Sequence, residues 1–243
     1  MKNQFIRGLW HGVPIALGYL SVSFGFGIMA VRAGLSVASA VGISVTNLTS
    51  AGQAAGVTII AAGGTLMEMA LTQLVINIRY ALMGISLSQK LDGTFNIPRR
   101  LICSFGITDE IFAVASSQRG TLCPSYMYGL ILISFLGWSG GTFLGAAAGQ
   151  ILPESVTNAM GIVLYGMFLA VVVPAAREKK SVLCAAALSI LISVIFKYLL
   201  TAVSGGFAVI ISAVTAAAAA ALFFPFTEEE SINSAIAEKE DIT

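Results

Sequence analysis

Hydrophobic residues occur along this chain in long blocks rather than with the two-residue period of a strand. Six blocks are apolar over about twenty residues each: 13–31, 66–88, 126–149, 157–176, 181–203 and 205–224. A helix rises about 1.5 Å per residue, so about twenty residues cross a hydrocarbon core roughly 30 Å thick. The pattern therefore predicts six full transmembrane helices.

Two further segments are apolar at their ends and interrupted in between. Residues 36–62 have a polar middle from Thr46 to Gln53, and residues 101–118 hold the adjacent acids Asp109 and Glu110. Backbone groups freed by a break at membrane depth must line a cavity or be covered by protein. We predict that both segments are discontinuous or re-entrant. A single long tilted helix is the alternative for 36–62, and an interfacial helix capped by Thr108 is the alternative for 101–118.

The positions of the basic residues support incomplete crossings. Lys and Arg concentrate at the N-terminus, in the loop 89–100 and in the loop 176–180. Such residues favour the cytoplasmic side of a membrane. Two cytoplasmic ends require an even number of crossings, yet three apolar stretches separate each successive pair of basic segments. One stretch in each group of three therefore does not cross, and the N-terminus is predicted to be cytoplasmic.

The composition agrees with an all-α integral membrane protein. Of the 243 residues, 57% are hydrophobic and only 10% are charged, which leaves no segment for a soluble domain. We predict one polytopic membrane transport domain over residues 1–226, embedded in the lipid bilayer, and an acidic, mobile tail over residues 227–243. The net charge of +1 gives no support for nucleic-acid binding.

The residues that usually hold metals or carry out catalysis are scarce. The chain has one histidine, His11, and three cysteines without a Cys-x-x-Cys pair. A metal cluster, or a nucleophile with its base, has poor support from this set. We expect no cofactor, no metal and no enzymatic activity.

The helix predicted at 66–88 has polar groups in its interior. Gln73 and Asn77 fall near one face, and Arg79 lies about a dozen residues from the helix start. An ionisable side chain near the bilayer centre costs about 3 kcal/mol, so it usually faces protein or a water-filled cavity. We interpret this helix as one wall of a solute pathway. A structural arginine bound to helix-end carbonyls is the alternative.

These features define a candidate binding site for a small solute. An amino acid carboxylate could bind Arg79 or backbone N–H groups near Gly52-Gln53, and its ammonium could bind Asp109 or Glu110. Desolvation favours the protonated form of a buried carboxylate, so the two acids are also candidates for proton coupling. The predicted substrate-binding residues are Asn47, Gln53, Gln73, Asn77, Arg79, Asp109 and Glu110.

Four sequence elements, taken in order, resemble one known family. They are Pro14 in a Gly- and Phe-rich helix, Ala51-Gly52-Gln53-Ala54, Asn77-Ile78-Arg79-Tyr80 and Thr108-Asp109-Glu110. Together they resemble the AzlC family of large subunits of branched-chain amino acid exporters, over residues 5–225. The family often has His where Tyr80 stands. If that position binds the solute or relays protons, this protein differs from such members in its substrate or in its coupling.

The resemblance implies a secondary transporter in a bacterial cytoplasmic membrane. It implies export of branched-chain or related small hydrophobic amino acids, usually together with a small AzlD-type membrane subunit. No nucleotide-binding G-x-x-x-x-G-K-[ST] motif occurs in the chain. A gated channel or pore subunit for small solutes is the alternative, because broken helices and polar faces would look similar in either class.

Overall fold

The structure, a computed structural model, describes residues 2–149, 166, 169, 172–200 and 203–224. Within these ranges the chain is helical, with no strand beyond an isolated bridge between Leu91 and Leu122. The named helices are α1 (Lys2–Arg32), α2 (Val37–Thr46), α3 (Ser50–Ala61), α4 (Leu66–Ser88), α5 (Ile97–Phe105), α6 (Asp109–Ser116), α7 (Pro124–Ala148), α8 (Lys180–Tyr198) and α9 (Gly205–Phe223). Residues 172–178 are also helical.

Five of these helices are long and apolar enough to cross a membrane: α1, α4, α7, α8 and α9. They correspond to five of the six predicted crossings. The sixth, at 157–176, falls mostly outside the described residues. The prediction of an all-α integral membrane protein is confirmed.

The chain divides into two compact units, residues 1–167 and 168–243. In the second unit α8 and α9 pack together, and Ser193 Oγ lies 3.2 Å from Ser212 Oγ. The single membrane domain over 1–226 stays a prediction. The predicted tail at 227–243 lies outside the described residues.

Helices α1 and α7 form the tightest contact of the first unit and run parallel. The backbone of Phe5 lies beside Gly129, that of Ala16 beside Gly137, and that of Phe24 beside Gly145. A Cβ added at Gly137 or Gly145 would lie less than 3.0 Å from backbone atoms of α1. Small residues let transmembrane helices approach this closely. Parallel packing also places the start of α7 at the same end as the start of α1.

The segment 36–62 forms a helical hairpin, α2–α3, interrupted at residues 47–49. Thr49 is extended and its Oγ1 accepts the Gly52 N–H, so the break doubles as the N-cap of α3. Along α4, Gly52 lies beside Gln73 and Gly56 beside Met69, which makes α3 antiparallel to the first half of α4. The prediction of a discontinuous segment is confirmed.

The segment 101–118 contributes to a second hairpin, α5–α6, interrupted at residues 106–108. Here Thr108 is the N-cap of α6, and its Oγ1 accepts the Ile111 N–H. At the other end of α6, Lys90 Nζ donates to the carbonyls of Ser116 and Gln118. Because Lys90 follows α4 directly, α6 returns to the end where α4 finishes. This segment is also discontinuous, as predicted.

The two hairpins enter from opposite ends of the first unit, and their tips meet near its middle. Leu48, from the first tip, and Thr108, from the second, line one recess together with Tyr80 of α4. Helix α1 followed by α2–α3 and helix α4 followed by α5–α6 are thus two copies of one arrangement in opposite orientations. Inverted repeats of this kind, with broken helices at the midplane, are typical of secondary transporters.

Candidate functional site

The meeting point of the two tips is a small open recess of about 20 Å³, which we call the central recess. It lies midway along α1, α4 and α7, and it includes the first residues of both α3 and α6. Two aromatic side chains from the tightly packed α1 and α7 form its base. Its lining residues are Tyr19, Leu48, Ser50, Tyr80, Thr108, Asp109, Glu110 and Trp138.

An ion pair joins α4 to the tip of the second hairpin. Arg79 Nη1 lies 2.7 Å from Asp109 Oδ2, and the two side chains are 44% and 42% exposed. The Arg79 guanidinium also lies 5.0 Å from the centre of the Tyr80 ring. Asp109 is the first residue of α6, where a carboxylate interacts favourably with the helix dipole. The pair therefore fixes the second tip against the middle of α4.

A second polar contact joins α1 to the same tip. The Tyr19 hydroxyl lies 2.5 Å from Thr108 Oγ1 and 2.5 Å from Glu110 Oε2. The Tyr19 ring packs edge-to-face on Trp138, with ring centres 5.2 Å apart. Trp138 is only 3% exposed, and its Nε1–H has no hydrogen-bond partner among the described residues. A buried indole donor beside a polar recess is a candidate ligand-binding group.

The first tip is joined to α4 through side-chain amides. Thr49 Oγ1 donates to Asn77 Oδ1 over 2.8 Å, and Asn77 Nδ2 donates to Gln73 Oε1 over 2.9 Å. Gln73 Nε2 in turn donates to the Gly52 carbonyl over 2.7 Å. The Thr49–Asn77 link mirrors the Tyr19–Thr108 contact, because in both cases the N-cap threonine of one hairpin contacts a helix of the other repeat.

Gln53 and Asn47 hold the first break closed. Gln53 is 1% exposed, and its Nε2 donates to the carbonyls of Ile43 and Asn47, which the break leaves without helical partners. Its Oε1 accepts from Ser44 Oγ at 3.4 Å. The Gln53 amide is therefore engaged within the first hairpin, and Asn47 contributes its carbonyl to that contact.

A second, larger recess of about 190 Å³ adjoins the central one and shares Leu48 and Tyr80 with it. We call it the side recess. It lies between the first tip, α4 and the end of α5, and both breaks contribute to it. Its remaining lining residues are Asn47, Thr49, Asn77, Ser104, Phe105 and Ile107. It therefore offers apolar surface directly beside the charged groups of the central recess.

The structure brings the predicted residues to this one region but gives them different surroundings. Asp109 and Glu110 line the central recess, Asn47 and Asn77 line the side recess, and Arg79 pairs with Asp109. Gln53 and Gln73 are engaged with backbone carbonyls. Their binding of substrate stays a prediction.

Among the lining residues of the central recess that sequence reasoning missed are two aromatic ones, Tyr19 and Trp138. Each is an aromatic residue within a long apolar block, where aromatic side chains are common. Its only signal was a polar atom, a hydroxyl or an indole N–H, at membrane depth. Among the described residues no group of three His, Cys, Asp or Glu could hold a metal ion.

Comparison with known proteins identifies the family of this chain. The family model described as AzlC protein matches residues 14–152, which include both hairpins and all of α7. The chain belongs to the AzlC family. It is 30% identical over 191 residues to the inner membrane protein YgaZ of Escherichia coli (strain K12), a match covering 76% of this chain and 78% of that protein.

A second relative of this AzlC protein is an uncharacterized membrane protein of Archaeoglobus fulgidus. The two are 32% identical over 173 residues, which cover 70% of this chain and 75% of the relative. No solved structure matches the chain. The family and the homologues together identify a membrane protein with the features of a transporter component.

Proposed function

We propose that this AzlC protein is a secondary transporter subunit that exports branched-chain or related small hydrophobic amino acids. One observation carries the proposal: two hairpins from opposite ends meet at mid-depth around a recess lined by charged and polar groups. Discontinuous helices at the midplane of inverted repeats commonly form the substrate site of secondary transporters. The proposed role is transport rather than catalysis.

The exposure of the Arg79–Asp109 pair supports a solute pathway. Arg79 lies in the middle of α4, and nearly half of its side chain is accessible. A charged group at this depth is costly in contact with lipid, so it faces a water-filled cavity or a covering protein. The adjoining side recess, with Phe105 and Ile107, offers a complementary surface for an aliphatic side chain.

The distribution of basic residues supports the proposed orientation. Arg7 donates to Gln118 over 2.9 Å, and Lys90 donates to the Gln118 carbonyl, so the first turns of α1 lie at the same end as the loop after α4. Arg99, at the start of α5, donates to the Thr94 carbonyl of that loop. By the positive-inside rule this end is cytoplasmic. We therefore propose a bacterial cytoplasmic membrane protein with its N-terminus inside.

A small AzlD-type membrane subunit is the proposed partner, as the family resemblance implies. Helix α4 carries a stripe of exposed apolar residues, Leu74, Ile78, Leu82 and Ile85, which is available to lipid or to a subunit. Proton coupling through Asp109 or Glu110 is part of the proposal, because both carboxylates lie in the central recess.

The proposal is tested by efflux of labelled leucine, isoleucine and valine from preloaded cells. Cells carry this chain with or without its small partner, and a proton gradient is imposed or collapsed. We expect competable, gradient-dependent efflux that is lost in Arg79→Ala and Asp109→Asn at normal protein levels. A folded chain that exports none of these amino acids under any condition would remove the substrate assignment.

A further inference from the structure

The two hairpin tips present opposite charge to the central recess. The first turn of α3 has no acidic residue, whereas α6 begins with Asp109 and Glu110. An uncompensated helix N-terminus carries about half a positive charge. Asp109 is neutralised by Arg79, whereas Glu110 accepts from the Tyr19 hydroxyl and forms no ion pair among the described residues, so Glu110 supplies the uncompensated negative charge at the second tip. The recess is therefore positive on the α3 side and negative on the α6 side.

The start of α3 offers backbone donors to the recess. Its N-cap, Thr49, accepts the Gly52 N–H with its side chain and the Gln53 N–H with its carbonyl. The two preceding N–H groups, of Ser50 and Ala51, have no acceptor within a helix that begins there. Ser50 lines the central recess.

A second donor stands at the same recess. The Trp138 residue is 3% exposed and lines the recess, and its Nε1–H has no hydrogen-bond partner in the part of the chain that the structure describes. Leaving a buried donor unsatisfied is costly, so the position favours a ligand that accepts a hydrogen bond there. A carboxylate, with two acceptor oxygens, can accept from the indole and from the α3 N-terminus at once.

We propose that the α3 N-terminus and Trp138 bind the carboxylate of the substrate while Glu110 binds its ammonium group. An α-amino acid zwitterion then lies between the two tips, with its side chain towards the side recess. This assignment rests on the proposed transport function and names the groups that select its substrate. Arg79 remains paired with Asp109 and positions the second tip.

The test compares the affinities of the purified chain for leucine and for leucinamide, which keeps the ammonium but lacks the carboxylate. Trp138→Phe keeps the ring and removes the indole donor. Ser50→Pro removes the backbone N–H at the first position of α3. Proline is compatible with this first helical position, and the extended conformation of Thr49 is the one that a residue before proline prefers. Ser50→Ala is measured beside it, so that the difference between the two isolates the N–H.

Trp10→Phe is the matched control, because Trp10 is 70% exposed on α1 and the chain has only two tryptophans. We expect Trp138→Phe and Ser50→Pro each to weaken leucine binding about tenfold, the loss for one hydrogen bond to a charged group, with leucinamide binding unchanged. Trp10→Phe should bind both ligands as the unmodified chain does.

Two results would overturn the assignment. In one, the variants bind leucine normally or lose leucine and leucinamide equally. In the other, Arg79→Ala alone abolishes the discrimination between the two ligands, which would place the carboxylate on Arg79. Absence of leucine binding in the folded, unmodified chain would instead overturn the proposed function, and this inference with it.

Discussion

The contact between α1 and α7 makes a sharp prediction about glycine. A Cβ added at Gly141 would lie 2.8 Å from Leu20 Cα and closer still to Leu20 O and Ser23 Oγ, whereas ordinary contacts begin at 3.4 Å. Since Leu20 presents backbone and its carbonyl oxygen lies 2.4 Å away, the two helices must separate by about 1 Å to reach ordinary contact. A gap of 0.5–1 Å lowers the dispersion energy of each contact along the interface by roughly a quarter to a half.

Overpacking of this kind costs about 1–3 kcal/mol, so Gly141→Ala should lower the melting temperature of the detergent-purified protein by several degrees. Gly140→Ala is the control, because a Cβ at the neighbouring position meets nothing within 4 Å. We expect it to melt at the unmodified temperature or slightly above, since alanine is the better helix former. Equal melting temperatures for the two variants would refute the described packing of α1 on α7.

Three further predictions concern the contacts around the recess. Asn77→Ala removes the acceptor of the Thr49 hydroxyl and should destabilise the protein by about 1–3 kcal/mol in thermal unfolding; an unchanged melting temperature would contradict the first network. Arg79→Ala and Asp109→Ala should be non-additive, with the double variant more stable than the sum of the single changes by about 0.5–3 kcal/mol; strict additivity would mean that the pair does not form. Tyr19→Phe removes the hydroxyl between α1 and the second tip and should lower efflux at unchanged protein levels, whereas normal efflux would show that the contact is dispensable.

The positions of both hairpins could be predicted from the sequence. Polar and small residues interrupt apolar stretches at 46–53 and 106–110. The basic segments on either side of each region are expected on the same side of the membrane, so one apolar stretch in each region cannot cross it completely. The threonine N-caps of α3 and α6 then follow ordinary helix-start preferences. These signals are local or depend only on charge counts, which is why they can be read from a single chain.

The composition of the recess could be predicted only in part. Tyr19 contacts Thr108 across 89 positions of sequence, and the contact requires α1 and the second tip to meet, which no local pattern encodes. Gln53 was expected at a solute site because it is polar at membrane depth. In the structure its amide satisfies carbonyls that the adjacent break leaves free, a role that depends on the fold of the break and that no local pattern predicts.

The most direct test of the proposed transport is counterflow in liposomes that contain the purified chain, alone and together with the proposed AzlD-type subunit. Vesicles loaded with unlabelled leucine receive a trace of labelled leucine outside. We expect a saturable, transient accumulation of label above equilibrium that is lost in Asp109→Asn. Entry of label that only equilibrates and does not saturate would contradict a transporter and indicate a pore.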